Sequence, residues 1–557
     1  MRVGMKDPDL IERRRWLTLG VLCLSLMVIA VDNTILNVAI PTLARTRALG
    51  GLSASASQLQ WIVDAYTVVF AGLLLTAGSL GDRFGRYKGL TLGLTVFGLG
   101  SMASALAPSA GVLIVTRSLM GIGGAFIMPS TLSILTNVFT NPLERGKAIG
   151  IWAGVAALGI GLGPLTGGFL LSHYWWGSVF LVNAPIVVLA LVGGYFLIPE
   201  SWDPSAPRLD PLGALLSISG LVAVLWAVIE APIHGWGSGS ILAGFAVGAG
   251  LLAAFMAWEL HSSSPMLDIR FFHNPRFSAA SGAVTLTFFA LFGSIFLLTQ
   301  YLQSVLGYST LKAGAVLLPQ AALMMIAAPL SSSLVQKVGS KIVVASGLGV
   351  VAVALLLFDT LAVDSSTLHV ILVGMVLGVG MANVMAPATE SIMGSLPRAK
   401  AGVGSAVNDT TRQVGGAVGV AVLGSILSSR YTSLVTAGLR GGVPADVLAR
   451  ARDNIGGAVS TGRGLQTAHA PYADHVLQSA KSAFVSGMHV SVLVAAAVTV
   501  AAAVGVAKWL PARAPDDPRS PGGEAARLPT SADRPPTSVD QPPLVEADTP
   551  PVVDVLS

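Results

Sequence analysis

Long stretches without charged residues are the feature that most constrains how this chain can fold. Runs of about twenty uncharged, mainly apolar residues recur along nearly the whole sequence. In an α-helix, which rises 1.5 Å per residue, a run of this length crosses the roughly 30 Å hydrocarbon layer of a bilayer. The chain is 53% hydrophobic and only 11% charged, and it contains 63 glycines, which is far from the composition of a soluble globular protein. The sequence therefore predicts an all-α polytopic membrane protein.

We count fourteen such stretches, each read as one transmembrane helix. They cover residues 17–38, 59–80, 89–107, 111–136, 148–171, 178–198, 211–231, 240–258, 277–304, 312–335, 340–361, 368–393, 401–428 and 487–509. Cys23 is the only cysteine and lies inside the first span, so neither a disulfide nor a thiolate metal cluster is available.

Basic residues predict the orientation, because Lys and Arg beside a span stay on the cytoplasmic side. One side carries Arg13, Arg14, Arg15, Arg83, Arg86, Lys88, Arg145, Lys147, Arg208, Arg270, Arg276, Lys337, Lys341, Arg398, Lys400, Lys508 and Arg513. The short connections on the other side carry only Arg45, Arg47 and Lys312. An even number of spans then places both termini in the cytoplasm. This asymmetry explains the net charge of +5 without nucleic acid, and its physical partner is the anionic inner leaflet of the bilayer.

The spans and the connections divide the chain into five predicted segments. These are a cytoplasmic N-terminus (1–16), an N-terminal six-helix bundle (17–198), a linker with two extra transmembrane helices (199–276), a C-terminal six-helix bundle (277–510) with an external loop (430–486), and a disordered cytoplasmic tail (511–557). The tail is rich in Pro, Ser, Asp and Glu and has almost no aromatic residues, so it cannot bury enough apolar surface to fold. The last part of the external loop has the spacing of an amphipathic helix.

A charged, glycine-punctuated turn that begins at Gly78 lies between the second and third spans and predicts a hinge between them. Asp82 can cap the following helix and pair with Arg83 or Arg86. Gly85 lets the two helices and their connecting backbone come close together. The alternative is an ordinary polar loop anchored at the membrane surface.

The hinge occurs a second time, between the tenth and eleventh spans. Leu80, Arg83 and Gly85 correspond there to Leu334, Lys337 and Gly339. Gln336 stands where the first copy has Asp82, so the later copy has lost the charge pair. The two halves therefore share a scaffold but not a chemistry. Repeated six-helix halves are typical of a transporter that rocks one half against the other.

Small residues follow one stripe of the fifth span. Gly159, Gly163, Gly167 and Gly168 allow very close helix packing, and Pro164 removes a backbone hydrogen bond and bends the helix. This pattern suits a gate or seal between the two halves. The alternative is a merely well-packed helix, since glycine is common in membrane spans.

Asp32 lies deep in the first span, where an ionised carboxylate costs at least about 3 kcal/mol and therefore tends to be protonated or paired. This makes Asp32 a candidate proton carrier. Arg117 in the fourth span is its natural cationic partner, because arginine keeps its charge. The alternative is a static structural ion pair.

The thirteenth span carries Asn408, Asp409 and Arg412 on or near one helical face. Asp409 and Arg412, three residues apart, can neutralise each other. Asp409 is a candidate to bind a cationic substrate or to hand on a proton, and a structural pair with Arg412 is the alternative.

Aromatic residues cluster on the ninth span and include Phe292, Phe296 and Tyr301. Together with Asn408, Asp409 and Arg412 they are candidates to line an adaptable substrate pocket, with lipid contact as the alternative.

At this point the chain resembles the major facilitator superfamily, and specifically its fourteen-span drug:proton antiporter family, over about residues 15–510. The hinge resembles the superfamily pattern G-x-L-a-D-r-x-G-r. The stretch Val31-Asp-Asn-Thr-Ile-Leu-Asn-Val-Ala-Ile-Pro41 is similar to the first-span pattern of the family, and Leu113-Ile-Val-Thr-Arg117 to its fourth-span pattern. The stretch that runs from Gly159 to Gly168 is similar to the fifth-span pattern of exporters.

The resemblance implies two six-helix bundles plus two inserted helices, and a protein that is not an enzyme. It further implies proton-coupled export of hydrophobic or cationic small molecules, such as drugs, antibiotics and dyes, across a bacterial cytoplasmic membrane. The absence of a Walker phosphate loop argues against ATP as the energy source. We therefore expect the proton motive force to drive transport, with no cofactor, metal or nucleic-acid partner, and a monomeric protein. Two alternatives stay open: a dedicated exporter of one metabolite, amino acid or lipid, and a receptor or scaffold that transports nothing.

Overall fold

A computed structural model describes residues 8–43, 51–54, 56–203, 210–262, 265–467 and 469–511. Over these residues the chain is helical and contains no β-strand. The helices are α1 (Pro8–Leu43), α2 (Ala56–Phe84), α3 (Arg86–Ala105), α4 (Ala110–Val138), α5 (Pro142–His173), α6 (Ser178–Leu181), α7 (Asn183–Leu197), α8 (Pro211–His234), α9 (Gly239–His261), α10 (Pro275–Gln300), α11 (Thr310–Val338), α12 (Ser340–Phe358), α13 (Thr367–Gly394), α14 (Ala401–Leu439), α15 (Ala445–Asp453), α16 (Ile455–Thr467) and α17 (Ala473–Trp509).

Each of the fourteen predicted spans coincides with one of these helices, the sixth with α6 and α7 together. In the part of the chain that the structure describes, thirteen helices are long and apolar enough to cross a membrane. The helix that does not reach this threshold is α3, which begins with Arg86 and Lys88. The all-α membrane fold is confirmed, while the count of fourteen spans stays a prediction.

Local sequence signals explain where the helices begin. The side chains of Ser109, Asn141, Asp210, Ser309 and Ser366 each accept a hydrogen bond from a backbone N–H in the first turn of the helix that follows. These bonds satisfy donors that a helix start leaves without an intrahelical partner. Three helices also place proline in their first turn, where its missing N–H costs nothing; these are α5, α8 and α10.

We call α1 to α7 the first half and α10 to α14 with α17 the second half. The inserted helix α8 packs against α2 of the first half, where Gly72 meets Ile218 and Val222. The connection from α8 to α9 reaches the second half, because Trp236 donates a hydrogen bond from Nε1 to Ser425 Oγ of α14. The inserted pair thus contacts both halves along one side of their seam.

The two copies of the hinge share their backbone geometry. Gly85 has φ +119° and Gly339 has φ +86°, conformations that residues with a Cβ rarely adopt. Each glycine directly precedes a helix, α3 or α12. A Cβ on Gly85 would also lie 2.7 Å from the Glu200 carboxylate, so this position excludes a side chain twice over.

The segment predicted as an external loop, 430–486, is largely helical. It consists of the end of α14, the short helices α15 and α16, and the start of α17. Tyr431 of α14 donates a hydrogen bond to the carbonyl oxygen of Ala451 in α15, which holds these helices together. The predicted amphipathic helix is therefore continuous with the last membrane span. The tail after Pro511, the first seven residues, Arg45, Arg47, Arg208 and Arg513 lie outside the described residues.

We predict that Gly85→Ala lowers the stability of the purified protein by about 1–3 kcal/mol, because the strained backbone and the Glu200 carboxylate both oppose a Cβ. Thermal unfolding of the detergent-solubilised protein measures this. The matched control is Gly349→Ala in α12, a helical glycine with open space around it, which should leave the melting temperature unchanged or raised. Equal melting temperatures for the two variants would contradict a strained hinge.

Candidate functional site

A buried ion pair joins α1 and α4 in the first half. Arg117 donates a hydrogen bond from Nη1 to Asp32 Oδ2 at 2.5 Å. The Asp32 side chain is 0% exposed and the Arg117 side chain 1%. Charges so far from water are tolerated only when they are paired and hydrogen-bonded. The structure thus brings together the two residues that the sequence predicts for proton coupling.

Asn183 at the start of α7 completes the surroundings of the Asp32 carboxylate. Its Nδ2 donates to Asp32 Oδ1 at 3.1 Å and to Ser101 Oγ at 3.0 Å. Both carboxylate oxygens of Asp32 therefore accept hydrogen bonds from protein groups. The sequence analysis missed Asn183, although an amide side chain inside the apolar sixth span was a usable signal.

The second helix fixes the position of Arg117. Its Nε donates to the backbone carbonyl of Ile62 at 3.2 Å, and its guanidinium carbon lies 4.5 Å from the centre of the Tyr66 ring. Because Arg117 of α4 contacts both α1 and α2, movement of either helix changes the position of the guanidinium relative to Asp32.

The polar cluster on α14 is arranged differently from the prediction. Among the described residues, Asp409 and Arg412 form no ion pair, although both are buried. Asn408 instead donates from Nδ2 to Asp409 Oδ1 at 3.3 Å, and Arg412 donates from Nη2 to Thr389 Oγ1 at 2.9 Å. Thr389 in turn donates to Asn408 Oδ1 at 3.2 Å. The charges of Asp409 and Arg412 still attract each other, as the sequence predicts, but across a separation longer than that of an ion pair.

Two aromatic rings lie against the guanidinium of Arg412. Its guanidinium carbon lies 5.0 Å from the ring centre of Trp152 in α5 and 5.3 Å from that of Phe288 in α10. Trp152 is itself fixed by a hydrogen bond from Nε1 to Thr131 Oγ1 at 3.2 Å. Trp152 and Thr389 had no place in the sequence analysis, since nothing in the local sequence connects them to Arg412.

The other predicted pocket residues pack against helices rather than around Arg412. Phe292 and Phe296 lie over Gly416 and Gly424 of α14, where the absence of a Cβ makes room for the rings. Tyr301 is buried and donates to the carbonyl oxygen of Ala362. The ring of Phe292 also contacts that of Phe288, with the ring centres 5.5 Å apart, and a substrate pocket that includes these residues stays a prediction.

The hinge residue Asp82 connects the two halves. Its carboxylate pairs with Arg86 at 2.8 Å, as the sequence predicts. It also accepts hydrogen bonds from the backbone N–H groups of Gly402 at 2.9 Å and Val403 at 3.1 Å. Asp82 therefore caps α14 of the second half, which corrects the prediction that it caps α3, and its negative charge suits the positive end of that helix. Arg83, the alternative partner, lies with its guanidinium carbon 5.5 Å from the ring centre of Phe84.

Further contacts close the same end of the molecule, which we call the hinge end. Arg86 donates to the carbonyl oxygens of Arg398 and Ala399, both at 2.9 Å. Arg145 of α5 pairs with Glu390 of α13 at 2.6 Å. Gly78 lies directly against the backbone of Gly402, so α2 and α14 touch without intervening side chains. At the hinge end the two halves are therefore in contact.

Three of the four glycines in the stripe of α5 face α1 and not the seam between the halves. Gly159 packs on Ala30, and the other two pack on Thr34, Ile35 and Val38. This differs from the expected seal between halves, since α1 and α5 belong to the same half.

Other residues of α5 make the seam with α11. Pro164 meets Gly314 and Gly168 meets Leu311, while Gly150, Gly154 and Gly161 lie against Ala328, Met325 and Leu318. The reason is periodicity: residues four apart follow one helical face, and α5 uses a second face for the seam.

Away from the hinge end, a shallow surface groove of about 470 Å³ lies along α14, and all of its lining residues belong to that helix. Its lining includes Ser425, Ser429, Arg430 and Ser433. The contacts of Asp82, Arg86 and Arg145 thus show that the halves are closed at the hinge end.

Comparison with known proteins follows from this architecture. The sequence profile of the Major Facilitator Superfamily matches residues 22–420. This chain belongs to the major facilitator superfamily. Two solved structures share the fold at 15% sequence identity: the human organic anion transporter MFSD10, with a TM-score of 0.52 over 88% of this chain and 99% of that one, and the proton:xylose symporter XylE, with a TM-score of 0.54 over 90% and 96%.

Three bacterial relatives cover most of the chain. It is 39% identical to the multidrug efflux pump LfrA of Mycolicibacterium smegmatis over 89% of this chain and 96% of the relative. It is 35% identical to the methyl viologen resistance protein SmvA of Salmonella typhimurium over 88% and 98%. It is 33% identical to the tetracenomycin C resistance and export protein of Streptomyces glaucescens over 88% and 90%. The predicted family is confirmed, and the protein is a multi-pass membrane transporter and not an enzyme.

We predict that Asp82→Asn opens the hinge end, because it removes the charge that pairs with Arg86 and caps α14, at a cost of about 3 kcal/mol to the closed state. Spin labels at the exposed positions Lys147 and Pro397, with Cys23 replaced by serine, report the separation of the halves. The variant should gain a population at longer distance. Asp364→Asn, an exposed carboxylate after α12, is the matched control and should leave the distances unchanged. If the distance distribution of Asp82→Asn were identical to that of the unmutated protein, Asp82 would not hold the hinge end closed.

Proposed function

We propose that this protein is a proton-coupled efflux antiporter that exports hydrophobic or cationic small molecules, including drugs, antibiotics and dyes, across a bacterial cytoplasmic membrane. The observation that carries the proposal is the buried ion pair between Asp32 and Arg117, found in a chain of a transporter superfamily. The names of the relatives support efflux: one is a multidrug pump, and two are resistance proteins.

The orientation of the basic residues supports the direction of transport. With both termini in the cytoplasm, the hinge end faces the cytoplasm. We therefore assign this conformation, which is closed at the hinge end by the Asp82 and Arg145 contacts, to the outward-facing state. Substrate is released from this state, and a proton enters from the same side.

The Asp32 site couples the two events through its partners. In the outward-facing state both oxygens of Asp32 are occupied by Arg117 and Asn183, and the site is sealed from solvent. A proton reaches the carboxylate only when Arg117 moves aside, and a protonated Asp32 no longer attracts the guanidinium. Protonation and substrate therefore favour different arrangements of α1 against α4, and this difference in affinity links them.

The energy source and partners belong to the same proposal. The proton gradient drives export, with no cofactor and no ATP. The partners are the substrate, protons and the lipid bilayer, and the protein acts as a monomer.

We predict that Asp32→Asn abolishes proton-driven dye uptake into everted vesicles, because an amide cannot exchange a proton. Fluorescence of ethidium under an imposed proton gradient measures this. Dye counterflow in the absence of a gradient should persist, which shows that the variant still moves substrate. Undiminished proton-driven uptake by Asp32→Asn would remove this residue from coupling, and uptake driven equally by a sodium gradient would remove the proton.

We predict that Asn183→Ala weakens coupling without abolishing it, because Asp32 keeps Arg117 but loses its second partner. Uptake should fall severalfold, with a shift in its pH dependence, while Ser172→Ala, an exposed hydroxyl near the end of α5, should behave as the unmutated protein. An unchanged pH profile for Asn183→Ala would exclude a role of this amide in proton exchange.

A further inference from the structure

Arg412 occupies an aromatic sandwich that spans the two halves. Trp152 belongs to α5 of the first half and Phe288 to α10 of the second, and the guanidinium lies about equally far from both rings. Trp152 is 0% exposed and Arg412 is 3% exposed. Stacking against aromatic faces is how proteins bind organic cations. The rings therefore form a cation site, and Arg412 is the cation that fills it in this conformation.

The hydrogen-bonding capacity of Arg412 is only partly satisfied between the two rings. Its Nε has no hydrogen-bond partner, and its guanidinium forms no ion pair with an acid among the described residues. Asp409, a buried carboxylate three residues earlier on the same helix, already attracts the charge of Arg412, although the two groups are too far apart to form an ion pair. Arg412 thus has two places available, the aromatic sandwich and the carboxylate.

The sandwich depends on the position of the two halves. Since its rings come from different halves, the distance between them grows when the hinge end opens. In that state the gap faces the side from which an exporter takes up its substrate. In the closed state, Arg412 fills the same gap.

We propose that Trp152 and Phe288 bind the aromatic or quaternary organic cation that the protein exports, and that Arg412 displaces this cation from the rings when the hinge end closes. While substrate is bound, Arg412 pairs with Asp409. When the halves close, Arg412 returns to the rings and the substrate leaves towards the end opposite the hinge. This inference rests on the proposed export function and names its substrate class and a displacing residue.

The binding test uses the full-length protein in detergent and ethidium as the probe, with affinity measured by fluorescence anisotropy. Arg412→Gln removes the internal competitor and should bind ethidium about tenfold more tightly. Arg412→Lys retains a competing cation and should stay close to the unmutated protein. Equal or weaker binding by Arg412→Gln would overturn the displacement.

The rings are tested by a matched pair of substitutions. Trp152→Leu removes the aromatic face and should weaken ethidium binding about tenfold, whereas Trp152→Phe keeps a ring while losing the same hydrogen bond to Thr131 and should lose much less. The gain from Arg412→Gln should disappear in the Trp152→Leu background. A gain that persists there would place the cation elsewhere.

Transport separates this inference from the proposed function. Arg412→Gln should bind ethidium more tightly yet export it severalfold more slowly, and binding of the neutral dye Nile red should not tighten. If the unmutated protein exports ethidium and Arg412→Gln matches it in both assays, only the displacement fails. If the unmutated protein moves no dye under any gradient, the export function itself fails. Should Arg412→Gln not fold, Phe288→Leu is the second variant, and unaltered ethidium affinity in it would overturn the site.

Discussion

The cost of removing charge from water governs how this transporter is built. The buried charged residues of the membrane spans that the structure brings together have partners. Asp32 pairs with Arg117, and Asp82 pairs with Arg86 and caps the first turn of α14. The guanidinium of Arg412 lies against two aromatic rings. Each of these partners comes from another helix, and some come from the other half. Because a buried charge without a partner is strongly destabilising, any motion that separates these partners must supply new ones.

The charged residues lie at different depths along the helices and have different roles in transport. Asp32 and Arg117 form a buried pair within the first half, near the end of α4 that is opposite to the hinge. Asp82, Arg86 and Arg145 hold the halves together at the hinge end. Arg412 lies between these levels and touches both halves. Proton exchange, closure and substrate displacement are therefore carried by separate groups, connected by the tilt of rigid helices.

Close packing makes that tilt possible. Glycines of α5 let α1 approach on one face and α11 on another, and glycines of α14 receive the aromatic side chains of α10. The α5–α11 contact joins the two halves and has few side chains to interlock, so the halves can slide or rock there without breaking a packed core. The inserted helix α8 adds a contact to α2 on the flank of the seam, while the connection that follows it reaches α14.

The sequence alone determined the membrane fold and the position of each span, because bilayer thickness sets the length of each apolar stretch. It also determined the repeated hinge, because the backbone conformation there requires glycine. The pairing of Asp32 with Arg117 followed from the cost of buried charge, which requires an opposite charge nearby. Tertiary structure alone decided which helix face meets which neighbour. It gave Asp82 the start of α14 to cap, turned the stripe of α5 towards α1, added Asn183 to the Asp32 site and placed Trp152 over Arg412. These contacts join residues far apart in the chain, and several helix faces were equally apolar, so only the packing of all helices together selects among them.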